Sequence, residues 1–322
     1  MLHRVPKVRR IFYALLSITV MLGVFFGPTL RAIGINWVDV IQKGINVIQV
    51  SNISDEQEME IGKQLNERVA KEMKLSSTSD LAKYVNEIGQ KLVPYSGRPK
   101  LKYTFQVVDD KAINAFATLG GYVYINTGVI QVADDEAQLA SVIGHEIGHI
   151  GGKHSVKRVQ SAAKAELGLS VVGIKTTTLV NLAYELLLSR PHSRQAELDA
   201  DVRGFEMISR NNYDQQEMPN FMRKLMDDKR TQAPTILSTH PAIADRVTAL
   251  EKLAKDKANG GKLGTDPIAY AKRVGKTPSS PAATPAAVVK PTPTGSPTPT
   301  VSPTPTASPA PSKTGDVVVP TN

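Results

Sequence analysis

His145-Glu146-Ile147-Gly148-His149 is the stretch on which the reading of this chain turns. Residues four apart on an α-helix lie one above the other, so both imidazoles can reach a single metal ion. The glutamate between them stands where it can take a proton from a water that such an ion activates. The flanks predict a helix. Asp134, Asp135 and Glu136 put negative charge where a helix N-terminus favours it, and Leu139, Val142, Ile143, Ile147 and Ile150 recur at helical spacing. The competing interpretation is two ordinary histidines on a core helix, and the helical context of the three specified positions weighs against it.

A metal held by two histidines needs a third protein ligand. The chain contains no cysteine, so every ligand must be His, Asp or Glu. Downstream it reads Ser193-Arg194-Gln195-Ala196-Glu197-Leu198-Asp199-Ala200-Asp201, with Ser193 a good cap for a helix running to about Arg210 and closed by Asn211 and Asn212. Glu197 and Asp201 then share a helical face. One carboxylate can complete the ligand set, and the other can accept the free N–H of a ligating imidazole. Taken alone, an acidic pair at this spacing is usually a solvated helix face.

Together these segments resemble the gluzincin family of membrane-associated zinc metallopeptidases, the group of the CAAX prenyl proteases and the HtpX-, Oma- and BepA-like proteases. The family's second motif is a glutamate, three residues, then an aspartate, usually with alanine before the aspartate, and Glu197 to Asp201 fits it with Ala200 in place. The resemblance extends to Asn114-Ala115-Phe116-Ala117, to Gly120-Gly121-Tyr122-Val123-Tyr124-Ile125-Asn126, and to Ser238-Thr239-His240-Pro241 with Arg246 beyond. It covers roughly residues 51–255.

That resemblance implies an α+β, mostly helical zincin domain with a small sheet and one zinc ion per chain. His145, His149 and Glu197 would be the zinc ligands, Glu146 the general base, and Asp201 the partner of a ligating imidazole. The late segment suggests His240 and Arg246 as donors to the oxyanion; His240 can instead fill the open coordination position and hold the enzyme latent, or merely begin a helix. Gly120, Gly121, Tyr122, Val123 and Tyr124 are expected to form an exposed strand edge onto which an extended substrate adds, the alternative being an ordinary glycine turn. The implied activity is peptide-bond hydrolysis of unfolded or misassembled envelope proteins, in quality control or maturation. An inactive chaperone-like or scaffolding protein of the same fold is the alternative, as is hydrolysis of a non-peptide amide; retention of Glu146 and three ligands argues against the scaffold.

Composition bounds the rest. A chain of 322 residues has room for one domain of about 200 residues plus flanks. The net charge of +9 does not imply nucleic acid, because no Lys/Arg run is interleaved with aromatics and aromatic content is 5%. Arg4, Lys7, Arg9 and Arg10 instead precede the uncharged stretch Ile11 to Phe26, which approaches a membrane span of about 20 residues. The positive-inside rule keeps the basic flank in the cytoplasm and sends the rest across. Residues 1–30 therefore read as a signal anchor, or as a signal peptide cleaved near Ala32-Ile33-Gly34 to give a secreted protein, and residues 31–50 as juxtamembrane.

The folded domain is expected over 51–257. Ser54-Asp55-Glu56-Gln57 is a capping box, a second helix follows Asp80, and Tyr103, Phe105 and Val107 alternate as a strand. Residues 166–190 are apolar but interrupted by Glu166, Lys175 and Glu185, so they predict a core helix over about 179–188 behind a flexible or membrane-touching loop. A last helix starts at Pro241. His3 lies in the basic N-terminus, and His154 and His192 sit in polar surroundings that predict solvation. The remainder, 258–322, is expected to be a disordered tail, with Pro, Thr, Ser and Ala dominating from 277 onward.

Overall fold

The computed structural model describes residues 47–76, 80–167, 174–189, 191–227 and 234–276. The expected anchor at 1–30 and the Pro/Thr-rich segment from 277 lie outside the described residues. Among the described residues, no helix is long and apolar enough to cross a membrane.

Two helices open the domain. α1 (Asp55–Glu72) starts at the predicted capping box, with Ser54 Oγ accepting from the Gln57 N–H and the Gln57 side chain accepting from the Ser54 N–H. α2 (Asp80–Leu92) buries Val85, Ile88 and Leu92 on one face. A small mixed sheet follows, built from β2 (Thr104–Val108), β3 (Ala115–Ala117) and β4 (Tyr122–Asn126) in the order β2-β4-β3. β1 (Val47–Ile48) belongs to a separate pair with β5 (Ile174–Lys175). The sheet is covered on both faces, so alternate residues feed two cores. Phe105, Val107, Val123 and Ile125 face the core with α2 and α4; Phe116 and Tyr124 face the core with α1, α5 and α6.

The short α3 (Thr127–Val132) leads to α4 (Glu136–Gly151), the helix of the His-Glu-x-x-His stretch. Asp135 caps it by accepting from the Gln138 N–H, and every side chain from Ala137 to Ile150 is buried. α5 (His154–Leu167) and α6 (Thr176–Ser189) form the second core with α1. α6 is longer than expected, and Ile174–Lys175 ahead of it pairs with β1 rather than forming a free loop. α7 (Arg194–Arg210) is capped by Ser193 Oγ, which accepts from the Ala196 N–H. It packs directly against α4. A Cβ on Gly148 would lie 2.6 Å from the Ala200 carbonyl oxygen, so only glycine permits this helix approach.

α8 (Glu217–Met226), the short α9 (Thr235–Thr239) and α10 (Ile243–Lys257) complete the apolar wall behind α4. α10 begins two residues later than predicted because Ala242 is left-handed, at φ 61° and ψ 34°. The domain also runs past residue 257. α11 (Pro267–Val274), capped by Asp266, buries Tyr270, Ala271 and Val274, and the Tyr270 hydroxyl donates to the Ile130 carbonyl at 2.8 Å. The unstructured tail expected from 258 therefore does not begin there. The Asp-Pro cap and two apolar residues one turn apart were enough for a helix with a core to pack on.

Candidate metal centre

Three helix-derived segments bring four donors together. α4 supplies His145 and His149, α7 supplies Glu197, and the α9–α10 connection supplies His240; one ligand atom from each lies within 4.8 Å of all the others. The imidazole Nε2 atoms of His145 and His149 are 3.0 Å apart. Glu197 Oε2 is 3.4 Å from His145 Nε2, and Oε1 is 3.4 Å from His149 Nε2. All four residues are buried.

Tautomers follow from the partners, because carboxylate and carbonyl oxygens only accept. His145 Nδ1 faces Asp201 Oδ1 at 2.8 Å and donates to it, so Nε2, which points into the cluster, is the nitrogen that would bind a metal once its own proton is lost. His240 Nε2 faces the Ala115 carbonyl oxygen at 3.3 Å and donates there, so Nδ1 is the nitrogen it turns towards the cluster, 3.2 Å from Glu197. With their cluster-facing protons lost, these nitrogens and the carboxylate would present lone pairs to one point, as the ligands of a bound cation do. This donor set fits zinc: nitrogen and oxygen ligands, four in number.

Protonation is consistent with the same picture. Burial and the Arg246 charge push the His145 imidazole down, but its hydrogen bonds to Asp201 and Glu197 outweigh both and hold it up, at about 9. Metal uptake is therefore coupled to release of that proton. Burial drives His149 well below the ordinary histidine range. Burial alone would raise Glu197, yet the imidazoles of His145, His149 and His240 around it keep it ionised.

Glu146 occupies a different environment. Its side chain is fully buried, neither carboxylate oxygen has a hydrogen-bond partner among the described residues, and burial pushes its carboxyl up. His240 Nε2 lies 3.6 Å from Oε1, beyond hydrogen-bond reach. A buried carboxylate without partners is costly, and such a group placed beside a ligand cluster is poised to exchange a proton.

Arg246 is brought to the site, but not as a free donor. Its Nε and Nη2 grip Asp201 in a two-pronged pair at 2.7 Å each, and Nη1 lies 2.7 Å from Glu197 Oε2. With these nitrogens engaged by carboxylates, the guanidinium positions the acids of α7 and leaves no arm aimed at a substrate oxygen. The oxyanion role expected of it does not match this geometry.

The strand expectation also needs correcting. β4, which holds Tyr122, Val123 and Tyr124, is the central strand, parallel to β2 on one side and antiparallel to β3 on the other. Gly120 and Gly121 form the β3–β4 turn at φ 75° and 86°, seated on α1, where the Gly120 N–H donates to Glu58 Oε1. The edge nearest the metal centre belongs to β3. Carbonyls along it and just before it are already taken: the Ile236 backbone N–H donates to Ile113, His240 Nε2 to Ala115 and Ser155 Oγ to Ala117. Beside this edge lies a cavity of about 210 Å³ lined by Phe116, Ala117, Leu119, Leu186, His192 and His240.

Two histidines expected in solvent belong to the site instead. His154 is buried, with Nδ1 2.9 Å from His149 Nδ1. The His192 ring lies over His149 at a centroid distance of 4.1 Å, and burial first, then the His240 and Arg158 charges, drive it down to about 2. Neither position carries a helical spacing that ties it to His145, so the sequence held no signal for them beyond their residue type.

Comparison with known proteins agrees with this geometry. The profile of peptidase family M48 matches residues 79–254. The chain is 30% identical over 225 residues to the β-barrel assembly-enhancing protease of Escherichia coli (strain K12), covering 65% of this chain and 45% of that protein. A putative β-barrel assembly-enhancing protease of Vibrio cholerae is 28% identical over 253 residues, covering 71% and 50%. The mitochondrial metalloendopeptidase OMA1 of Schizosaccharomyces pombe is 28% identical over 178 residues, covering 52% of each chain. The chain spans about half the length of the curated relatives it matches. More than half of its residues fall within the family profile, and they include all four donors of the cluster; the chain belongs to peptidase family M48, whose members are zinc metallopeptidases.

Proposed function

We propose that this protein is a zinc endopeptidase acting on unfolded or misassembled proteins of a cell envelope, in quality control or maturation. The observation that carries the reading is Glu146, fully buried with both carboxylate oxygens unpartnered, next to the converging donors of His145, His149 and Glu197. Zinc held by those three would acidify a water and polarise the scissile carbonyl. Glu146 takes the proton of the attacking water on a carboxylate oxygen and passes it to the leaving amine. Asp201 holds the His145 ring through Nδ1, and Arg246 holds Asp201 and Glu197. No covalent bond to the enzyme is needed.

β3, rather than β4, is the edge that would receive an extended substrate, with the neighbouring cavity taking a side chain. His240 stands in the way, because its ring closes the cluster with Nδ1 while Nε2 occupies the Ala115 carbonyl of that edge. We read His240 as a restraint that substrate displaces. The relatives' names, which refer to β-barrel assembly and to mitochondria, support an envelope or organelle setting, and an N-terminal anchor with the catalytic domain outside the cytoplasm is part of this proposal.

Casein hydrolysis with and without chelator, beside Glu146→Gln, tests the activity. Wild-type turnover by a folded, zinc-loaded Glu146→Gln protein would sink the mechanism. His240→Ala should raise basal cleavage; a fall of about 10²–10³-fold with metal content unchanged would make His240 an oxyanion donor instead.

A further inference from the structure

The two histidines of α4 are supported from behind in different ways. His145 donates through Nδ1 to a carboxylate, Asp201. His149 has no carboxylate behind it. Its Nδ1 faces another imidazole nitrogen, His154 Nδ1, at 2.9 Å, with the rings nearly perpendicular at 78°. The other nitrogen of His154, Nε2, lies 3.2 Å from Asp199 Oδ2, and that oxygen also accepts from Arg203 Nε at 2.6 Å.

We propose that His154 is a positioning residue of the zinc site, accepting the Nδ1–H of His149 while Asp199 holds it from the far side. The polarity of the chain is fixed by its ends. An ionised Asp199 only accepts, so His154 Nε2 carries its ring's proton and Nδ1 is left as an acceptor. His149 must keep the Nε2 lone pair for the metal, so its proton sits on Nδ1 and donates to His154. Each ring is thereby locked in one tautomer and one orientation.

The backbone is shaped for this contact. α4 ends at Gly151, and Lys153 adopts φ 54°, a conformation rare outside glycine and asparagine. That turn reverses the chain so that α5 opens with His154 directed back at His149. Gly152 makes room, since a Cβ there would lie 2.4 Å from His154 Nε2 and 2.7 Å from Asp199 Oδ2. A left-handed non-glycine residue beside a glycine whose missing side chain is where the contact passes is hard to explain by helix packing alone. Asp199 sits on the same helix as Glu197 and Asp201 but leads out to solvent, so the zinc site reaches the surface through this relay.

The inference rests on His149 being a zinc ligand, and His149→Ala tests that separately: retention of wild-type zinc affinity there would remove the foundation, whatever His154 does. For His154 itself, zinc affinity is measured by chelator competition, the visible absorption spectrum is recorded on the cobalt(II)-substituted protein, and the metal-free protein is melted as a fold control. His154→Phe keeps the ring and removes the acceptor; about 10–100-fold weaker zinc binding and an altered cobalt spectrum are expected, with an unchanged melt. His154→Asn, whose Oδ1 can stand where Nδ1 stood, should recover most of the affinity, and Gly152→Ala should weaken binding in the same direction. Zinc affinity within twofold of wild type and an unaltered cobalt spectrum in His154→Phe would overturn the proposal, as would equal losses in the Phe and Asn variants. If His154→Phe fails to fold, Asp199→Ala decides, because that side chain is partly exposed: weaker zinc binding supports the relay, and unchanged binding overturns it.

Discussion

Glu58 on α1 and Glu146 on α4 are both buried glutamates, and they are treated in opposite ways. Glu58 has every oxygen engaged: Oε1 accepts from Arg98 Nη1 and from the Gly120 N–H, and Oε2 from Arg98 Nη2 at 2.7 Å. It ties α1 to the β3–β4 turn and, through Arg98, to the Ile150 carbonyl at the end of α4. Glu146 has neither oxygen engaged. A charge buried for structure is closed by partners, whereas one buried for chemistry is left open towards a reacting centre. The two buried arginines do not divide this way: Arg98 holds elements of the fold and Arg246 the acids of the metal centre, and both are engaged by carboxylates.

The sharpest test of that contrast is a pair of matched substitutions. Glu146→Gln should lower proteolysis by about 10²–10⁴-fold, since glutamine keeps the shape and loses the base, and it should leave the melting temperature unchanged or higher. Glu58→Gln should do the reverse: a loss of about 3 kcal/mol in urea unfolding, near the low end for breaking a buried pair because Asp55 still pairs with Arg98, and zinc affinity close to wild type. Similar phenotypes for the two variants would erase the distinction.

Asp201 lies between these cases, bonded to Arg246 yet acting on a ligand. Asp201→Ala is expected to weaken zinc binding by about 10–100-fold without removing a ligand, as read by chelator competition. Affinity within twofold of wild type would reduce it to a structural acid like Glu58.

The smallest effect concerns Asp135, the cap of α4. Burial pushes its carboxyl up to about 7, although its bond from the Gln138 N–H works the other way. A raised acid binds protons more tightly when folded, so its contribution to stability falls as pH rises from about 4 to 7. Asp135→Asn keeps the cap and removes the charge. Its melting temperature should exceed that of wild type at pH 8 and match it near pH 4; equal melts at both pH values would show that the cap carries no such penalty.

Much of the centre was legible because it is local. His145 and His149, like Glu197 and Asp201, announce a shared face through a spacing of four, and Ser54, Asp135 and Ser193 mark helix starts through capping chemistry that involves only their neighbours. Position 240 was found by resemblance to a motif rather than by spacing. His154 and His192 read as solvated because what defines them is a contact with His149 across a chain reversal and across a loop. Strand order escaped for the same reason. Alternation reveals that Tyr122–Asn126 is a strand, but whether it is an edge depends on β2, which pairs with it from the other side.

By itself, then, the sequence determined the donor types, the two helices that carry three of the donors, and the acid placed to act as base, all through interactions spanning a few residues. Only the tertiary structure decided that β3 is the strand beside the metal centre, that Arg246 clamps acids instead of facing substrate, and that α11 extends the core beyond residue 257. Those outcomes rest on which buried surfaces and charges meet, and that is set by packing between distant segments rather than by the periodicity of any one of them.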